Sequence, residues 1–200
     1  MMAEGHLSAD VLAHGGQRGV HRVYEAPGNH LVGGQVAEQL AHAGLGALAV
    51  LHVGRLVTRS EKEWAQAQVD RVLAKPVAKR SSSEESHRRW NQHVIDRFKE
   101  QQANPKFDME LHVLRLGDVA VATNPFELFL DFGLRMKTQS KAQQTFIVQL
   151  TGSAGWYLPT IKAATGGGYS AIIQSNLVGP EGGDVLVNRT LELINAMWAK

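Results

Sequence analysis

Beyond residue 60 the apolar positions recur at two distinct spacings. Ala65, Val69, Val72 and Leu73 follow the helical period and stop at Pro76. Trp90, Val94, Ile95 and Phe98 form a second stripe that predicts a helix ending near Ala103. A serine with a glutamate three places on precedes each run, Ser60 with Glu63 and Ser82 with Glu85. That is the spacing of a capping box, in which two side chains satisfy free backbone N–H groups of the first turn. Residues 75–83 read as a polar linker. Met109, Leu111 and Val113 then alternate with Glu110 and His112, the pattern of a half-buried strand. The alternation slips where Leu114 follows Val113 directly, which predicts a bulge or a fully buried strand end.

Gly117-Asp118 predicts a hairpin turn into a strand over 119–123. Asn124-Pro125 predicts a helix with Pro in its first position, running to about Lys137. Gln144 to Leu150, rich in Thr, Phe, Ile and Val, reads as another strand. A Gly-rich loop, a short turn of helix near Thr160 and a last helix from about Gly183 to Trp198 complete the chain. Strands and helices mixed in this order predict an α/β or α+β fold, a mixed sheet with flanking helices.

Composition divides the chain near residue 60. Residues 1–60 contain no Lys, Ile, Phe or Trp and hold half of the 20 glycines. Interiors are usually filled with such missing residues. Two regions are therefore expected: a poorly defined Gly/Ala/His-rich segment over 1–60, and an α/β domain over 61–200. Two explanations for the first are a loosely ordered extension and a stretch read from the wrong start or frame. Within it only 35–43 (helix) and 47–53 (strand) look regular.

Composition and charge narrow the chemistry. With no cysteine there is no disulfide and no thiolate, so His, Asp, Glu and Tyr are the possible metal ligands. A formal charge of +2, with acids interleaved among the bases of 71–106, gives no case for nucleic acid as a partner. No window is long and apolar enough for a transmembrane helix, and the first residues lack the form of a secretory signal. The chain as given is expected in the cytoplasm.

Two residues stand out as candidate site residues. Glu127, placed just after a strand, can ligate a metal, or it can return a hydrogen bond to a helix cap at Asn124. Tyr157 follows the small-residue loop 151–155, where backbone can approach a ligand closely. Its phenol can ligate a metal or stabilise an oxyanion, or the residue can simply pack beside Trp156. Ser153 is a hydroxyl near Tyr157 with no histidine close in sequence. His87 and His93 fall on different faces of one predicted helix, which argues against a shared metal.

The run LRLGDVAVATNPFELFLDFGLRMK, then TFIVQLTGSAGWYLPT, GGGYSA and GPEGGDVLVNRTLELI, resembles the later part of the catalytic domain of the neutral/alkaline (non-lysosomal) ceramidase family, over about residues 108–198. The resemblance implies a zinc-dependent hydrolase of a linear amide (N-acyl) bond, with a zinc ion held by two histidines, a glutamate and a tyrosine, and a serine nucleophile. It assigns Glu127 and Tyr157 as zinc ligands, gives Tyr157 the second role of a catalytic oxyanion partner, and aligns Tyr169 with a later tyrosine of the family. Trp156 stands where the family has glycine, and Asp184, at the predicted start of the last helix, where many relatives have Glu. The family's HTHSGP-like and GDxSP-like motifs, which carry its histidines and serine, do not occur here. His6, His14, His21, His30, His42 and His52 therefore receive no assignment.

The expectation is a truncated or divergent family member, an incomplete catalytic domain with weak zinc binding and little turnover, whose substrate would be an amide-linked lipid or other N-acyl compound. The alternative is a non-catalytic α/β module that packs the apolar helices 90–98 and 191–198 against a partner chain or a second copy.

Overall fold

A computed structural model describes residues 13–14, 17–18 and 46–198. The helix expected over 35–43 lies outside the described residues. The fold is α/β, with parallel and antiparallel strands in one sheet. Strands β1 (Ala13–His14) and β2 (Gln17–Arg18) form a small antiparallel pair. Strand β3 (Gly46–Val53) pairs antiparallel along its length with β4 (Phe107–Leu116), so the last part of the 1–60 region contributes a strand to the main sheet. Strand β4 pairs antiparallel with β5 (Val119–Thr123), with Gly117 at φ 62° in the turn.

Strand β5 in turn pairs parallel with β7 (Gln144–Val148), giving the order β3-β4-β5-β7. Between these two parallel strands the chain passes through the two-residue strand β6 (Glu127–Leu128) and helix α3 (Leu130–Gln139). After β7 come β8 (Tyr157–Leu158), the short helix α4 (Ile161–Gly166), a loop with two 3-10 turns, and helix α5 (Pro180–Ala196).

One sheet face carries the main core. Met109, Leu111, Val113, Ala120 and Ala122 point to it and meet Phe132 and Met136 of α3 and Leu186, Val187 and Ile194 of α5. Gly183 lies inside α5 because the Phe132 ring crosses there: an added Cβ would stand 2.2 Å from it. The last helix thus begins at Pro180, not near Gly183. Asp184 sits inside it, bonded to Arg135 at 2.5 Å. On the opposite sheet face Leu114, Val121 and Phe146 are register partners across three strands; the first two are half-buried and Phe146 is 52% exposed.

No bulge interrupts β4. Its pairing with β3 and β5 is continuous, and Arg115 takes the core-side place after Val113. The guanidinium is accommodated there because it lies over the Trp198 ring, 4.2 Å from its centroid, and donates to the carbonyl of Met197.

Helices α1 (Arg59–Leu73) and α2 (Ser82–Glu100) form an antiparallel hairpin with a second core of Val57, Ala65, Val69, Val94 and Ile95. Both begin on a capping box, but with the partners Thr58/Glu61 and Ser81/Glu84, each slightly upstream of the predicted pair. The stripe around Val94 and Ile95 and the apolar positions Leu191, Leu193 and Ile194 are buried within this chain. They are not the partner-binding surfaces that the alternative reading expected.

Candidate functional site

Strands β5 and β7 run parallel, and the chain leaves both at the same sheet end. That carboxyl end is where open α/β sheets collect their ligands. At the end of β5 the Asn124 backbone N–H donates to Val148 O at 2.9 Å, and its side-chain Oδ1 accepts from the Phe126 N–H at 3.1 Å. This Asn turn, not a helix cap, starts the segment. Helix α3 begins only at Leu130, so Glu127 is not in a helical first turn and the capping role for it does not hold.

Phe126 is fully buried and stacks near Phe107, 5.9 Å between centroids. Gly155 faces that ring so closely that a Cβ would come within 2.5 Å of it. The small residue predicted to admit a ligand therefore admits Phe126. With Phe126 pointing inward, strand alternation turns Glu127 outward.

Glu127 pairs with Tyr157, and Leu128 with Leu158, in a parallel bridge in which the Glu127 N–H donates to Trp156 O at 2.9 Å. Leu158 is fully buried, which turns Tyr157 to the same side as Glu127. The two residues singled out by sequence border one cavity of about 140 Å³, together with Trp90, Trp156, Tyr169, Gln174 and Ser175. The Tyr157 and Tyr169 rings meet edge to face at 5.7 Å, and Tyr169 leans on Trp90 at 5.4 Å. Ser153 is exposed and does not border this cavity.

Hydrogen bonding to the Glu127 carboxylate, followed by desolvation and the charge of the same carboxylate, raises the Tyr157 pKa above its ordinary value. The pair thus favours the protonated phenol. A cation between the two would oppose that shift, because it favours both anionic forms. Trp156 holds φ 59°, in the left-handed region that favours glycine. The indole packs on His93, 4.9 Å between centroids, and burial, then the charge of Arg97, lowers the His93 pKa.

The loop 168–177 that supplies Tyr169, Gln174 and Ser175 is held by two arginines. Arg97 donates to the carbonyls of Ile173 and Asn176, both at 2.9 Å, and of Arg55 at 3.0 Å. Arg55 donates to Asn176 Oδ1 at 2.6 Å and pairs with Glu61 at 3.1 Å. Burial first, and then the neighbouring Arg55 charge, lowers the Arg97 pKa to about 10, which still leaves it a cation at neutral pH. Gln174 donates to Asn91 Oδ1 at 3.0 Å, fastening the loop to α2. The Ser175 hydroxyl is buried without a hydrogen-bond partner.

For zinc, the donors present are one carboxylate and one phenol, both oxygen and both able to be anionic. Both are donor types that zinc accepts, and they are two short of the four a tetrahedral site needs. Among the described residues no cluster of three or more His, Asp and Glu groups could hold a metal. His87 and His93 do not come together, as the helical spacing predicts, and neither borders the cavity. The side chains of the six histidines up to His52 lie outside the described residues. No helix among the described residues is long and apolar enough to cross a membrane.

Sequence reading missed Trp90, Gln174 and Ser175 as site residues. Trp90 was read as part of an apolar stripe, and no local signal marked the other two. Comparisons with protein-family models, curated proteins and solved structures give no match for this chain.

Proposed function

We propose that this chain is a divergent relative of the neutral/alkaline ceramidases whose Glu127 and Tyr157 serve a zinc-dependent hydrolysis of a linear amide bond. The observation that supports this reading is the direct pairing of Glu127 with Tyr157 beside one cavity at the carboxyl ends of parallel strands. Glu127 and Tyr157 would be two of the ligands, and His side chains from the first 52 residues would have to supply the others. A zinc ion held by these residues would supply polarisation of the amide carbonyl and a more acidic water.

The chain's own groups orient the substrate. Tyr169 and Trp90 form an aromatic wall beside Tyr157, and Glu127 controls the proton on the Tyr157 oxygen. Zinc content of the dialysed protein, beside Glu127→Ala and Tyr157→Phe, tests the reading. Weak zinc binding by the parent that falls tenfold or more in either variant is expected; parent and variants equally free of zinc would overturn it.

A second reading is carried by the sheet face that bears Phe146. Leu116, Phe146 and Val148 are 64%, 52% and 42% exposed, a contiguous apolar surface of the kind that marks protein contacts. In this reading the chain is a non-catalytic module, and partner binding survives both site substitutions.

A further inference from the structure

The cavity beside Glu127 and Tyr157, about 140 Å³, is small for a whole ligand, since sites for organic ligands usually enclose roughly 300–1,000 Å³. A groove of about 430 Å³ adjoins it between α1 and α2, and Trp90, Tyr169 and Gln174 border both. Trp90 and Tyr169, with ring centroids 5.4 Å apart, are the boundary the two share, so a molecule with its reacting bond at Tyr157 reaches the groove by lying across that ring pair.

The groove has two chemistries. Trp64 and Trp90, 54% and 38% exposed, offer aromatic faces that the fold leaves partly uncovered. Arg71 lies on the same face of α1 as Trp64, two turns on. Among the described residues no ion pair or hydrogen bond engages the Arg71 side chain, whereas Arg88, the other arginine of the groove, is held by Glu85 at 2.9 Å. Among the described residues no carboxylate borders the groove. A guanidinium unpaired among the described residues, beside aromatic faces in a groove lined by no described acid, matches a carboxylate at the end of an apolar arm.

We infer that the substrate is an anionic amide whose apolar arm lies on Trp64 and Trp90 and whose carboxylate pairs with Arg71. The inference rests on the amidase reading above and names the substrate class for that site. It also differs from a neutral lipid amide, for which an unpaired cation in the groove has no use.

The test uses the full chain and two probes of equal length, 8-acetamidooctanoate and its uncharged methyl ester, with binding followed by quenching of tryptophan fluorescence. The carboxylate is expected to bind about tenfold more tightly than the ester, a single charge-assisted hydrogen-bonded pair. Arg71→Gln should remove that preference and leave ester affinity unchanged, and Trp64→Ala should weaken both probes. Equal affinity of the two probes for the parent, or an unchanged preference in Arg71→Gln, overturns the inference. Because binding is read without turnover, the two readings fail separately. A preference for the carboxylate in a protein without zinc removes the amidase assignment only, and zinc binding without the preference removes the anionic substrate only.

Discussion

Glu127 and Tyr157 are register partners in a parallel two-strand bridge, joined through the Glu127 N–H and the Trp156 carbonyl at 2.9 Å. Each is turned outward by a fully buried neighbour, Phe126 before Glu127 and Leu158 after Tyr157. The pair's geometry is thus set by apolar burial on either side, and its chemistry by the carboxylate acting on the phenol.

That coupling predicts a titration. The Tyr157 pKa is raised because the protonated phenol bonds the Glu127 carboxylate, so in metal-free Glu127→Gln its midpoint should fall back towards the ordinary value near 10.0. Ultraviolet difference titration against Tyr157→Phe isolates this tyrosine. The sign for stability follows. A folded-state pKa above the unfolded one gives a contribution present below about pH 10 and lost as pH rises through the folded value. An unchanged midpoint in Glu127→Gln would show that the two groups do not interact.

Gly155→Ala should be costly for a residue in a loop. The new Cβ would approach the Phe126 ring within 2.5 Å, and Phe126 is fully buried, so ring and backbone must shift together. Overpacking of this kind typically costs about 1–3 kcal/mol. Urea unfolding measures the loss. The same shift displaces Glu127, so zinc affinity should fall in this variant without any ligand being removed.

Arg97→Met keeps much of the side chain's bulk but leaves the carbonyls of Ile173, Asn176 and Arg55 without their shared donor. Buried acceptors stripped of a charged partner cost on the order of 2–4 kcal/mol together. The loop bearing Tyr169 and Gln174 should loosen first, seen as faster hydrogen exchange over 168–177 than in the α3–α5 core. Arg97→Lys should recover little, because one ammonium cannot reproduce the planar fork that reaches three carbonyls.

The local elements were largely legible in the sequence because their causes are local. Helical periodicity located α1 and α2. The capping spacing occurs in overlapping copies, Thr58 to Glu61 and Ser60 to Glu63, Ser81 to Glu84 and Ser82 to Glu85, and in each case the upstream pair forms the box. Alternation identified the core side of β4 through Val113, then failed at Arg115, whose place depends on Trp198 at the far end of the chain. The start of α3 was misplaced for a similar reason. Pro125 suits a helix, but Asn124 bonds back to the Phe126 N–H and β8 offers Glu127 a strand partner, so the chain pairs before it coils.

By itself, then, the sequence determined α1, α2 and the course of β3, β4, β5 and β7, because these depend on neighbours within a turn or on a two-residue period; it did not show the short strands β6 and β8. It also marked Glu127 and Tyr157 through a family resemblance. Only the tertiary structure decided that these two residues pair, that Trp90, Gln174 and Ser175 join them, that Gly155 serves Phe126, and that Arg71 borders a groove without a partner among the described residues. Each of these depends on contacts between segments far apart in the chain, where burial and hydrogen bonding across elements, not local preference, select the arrangement.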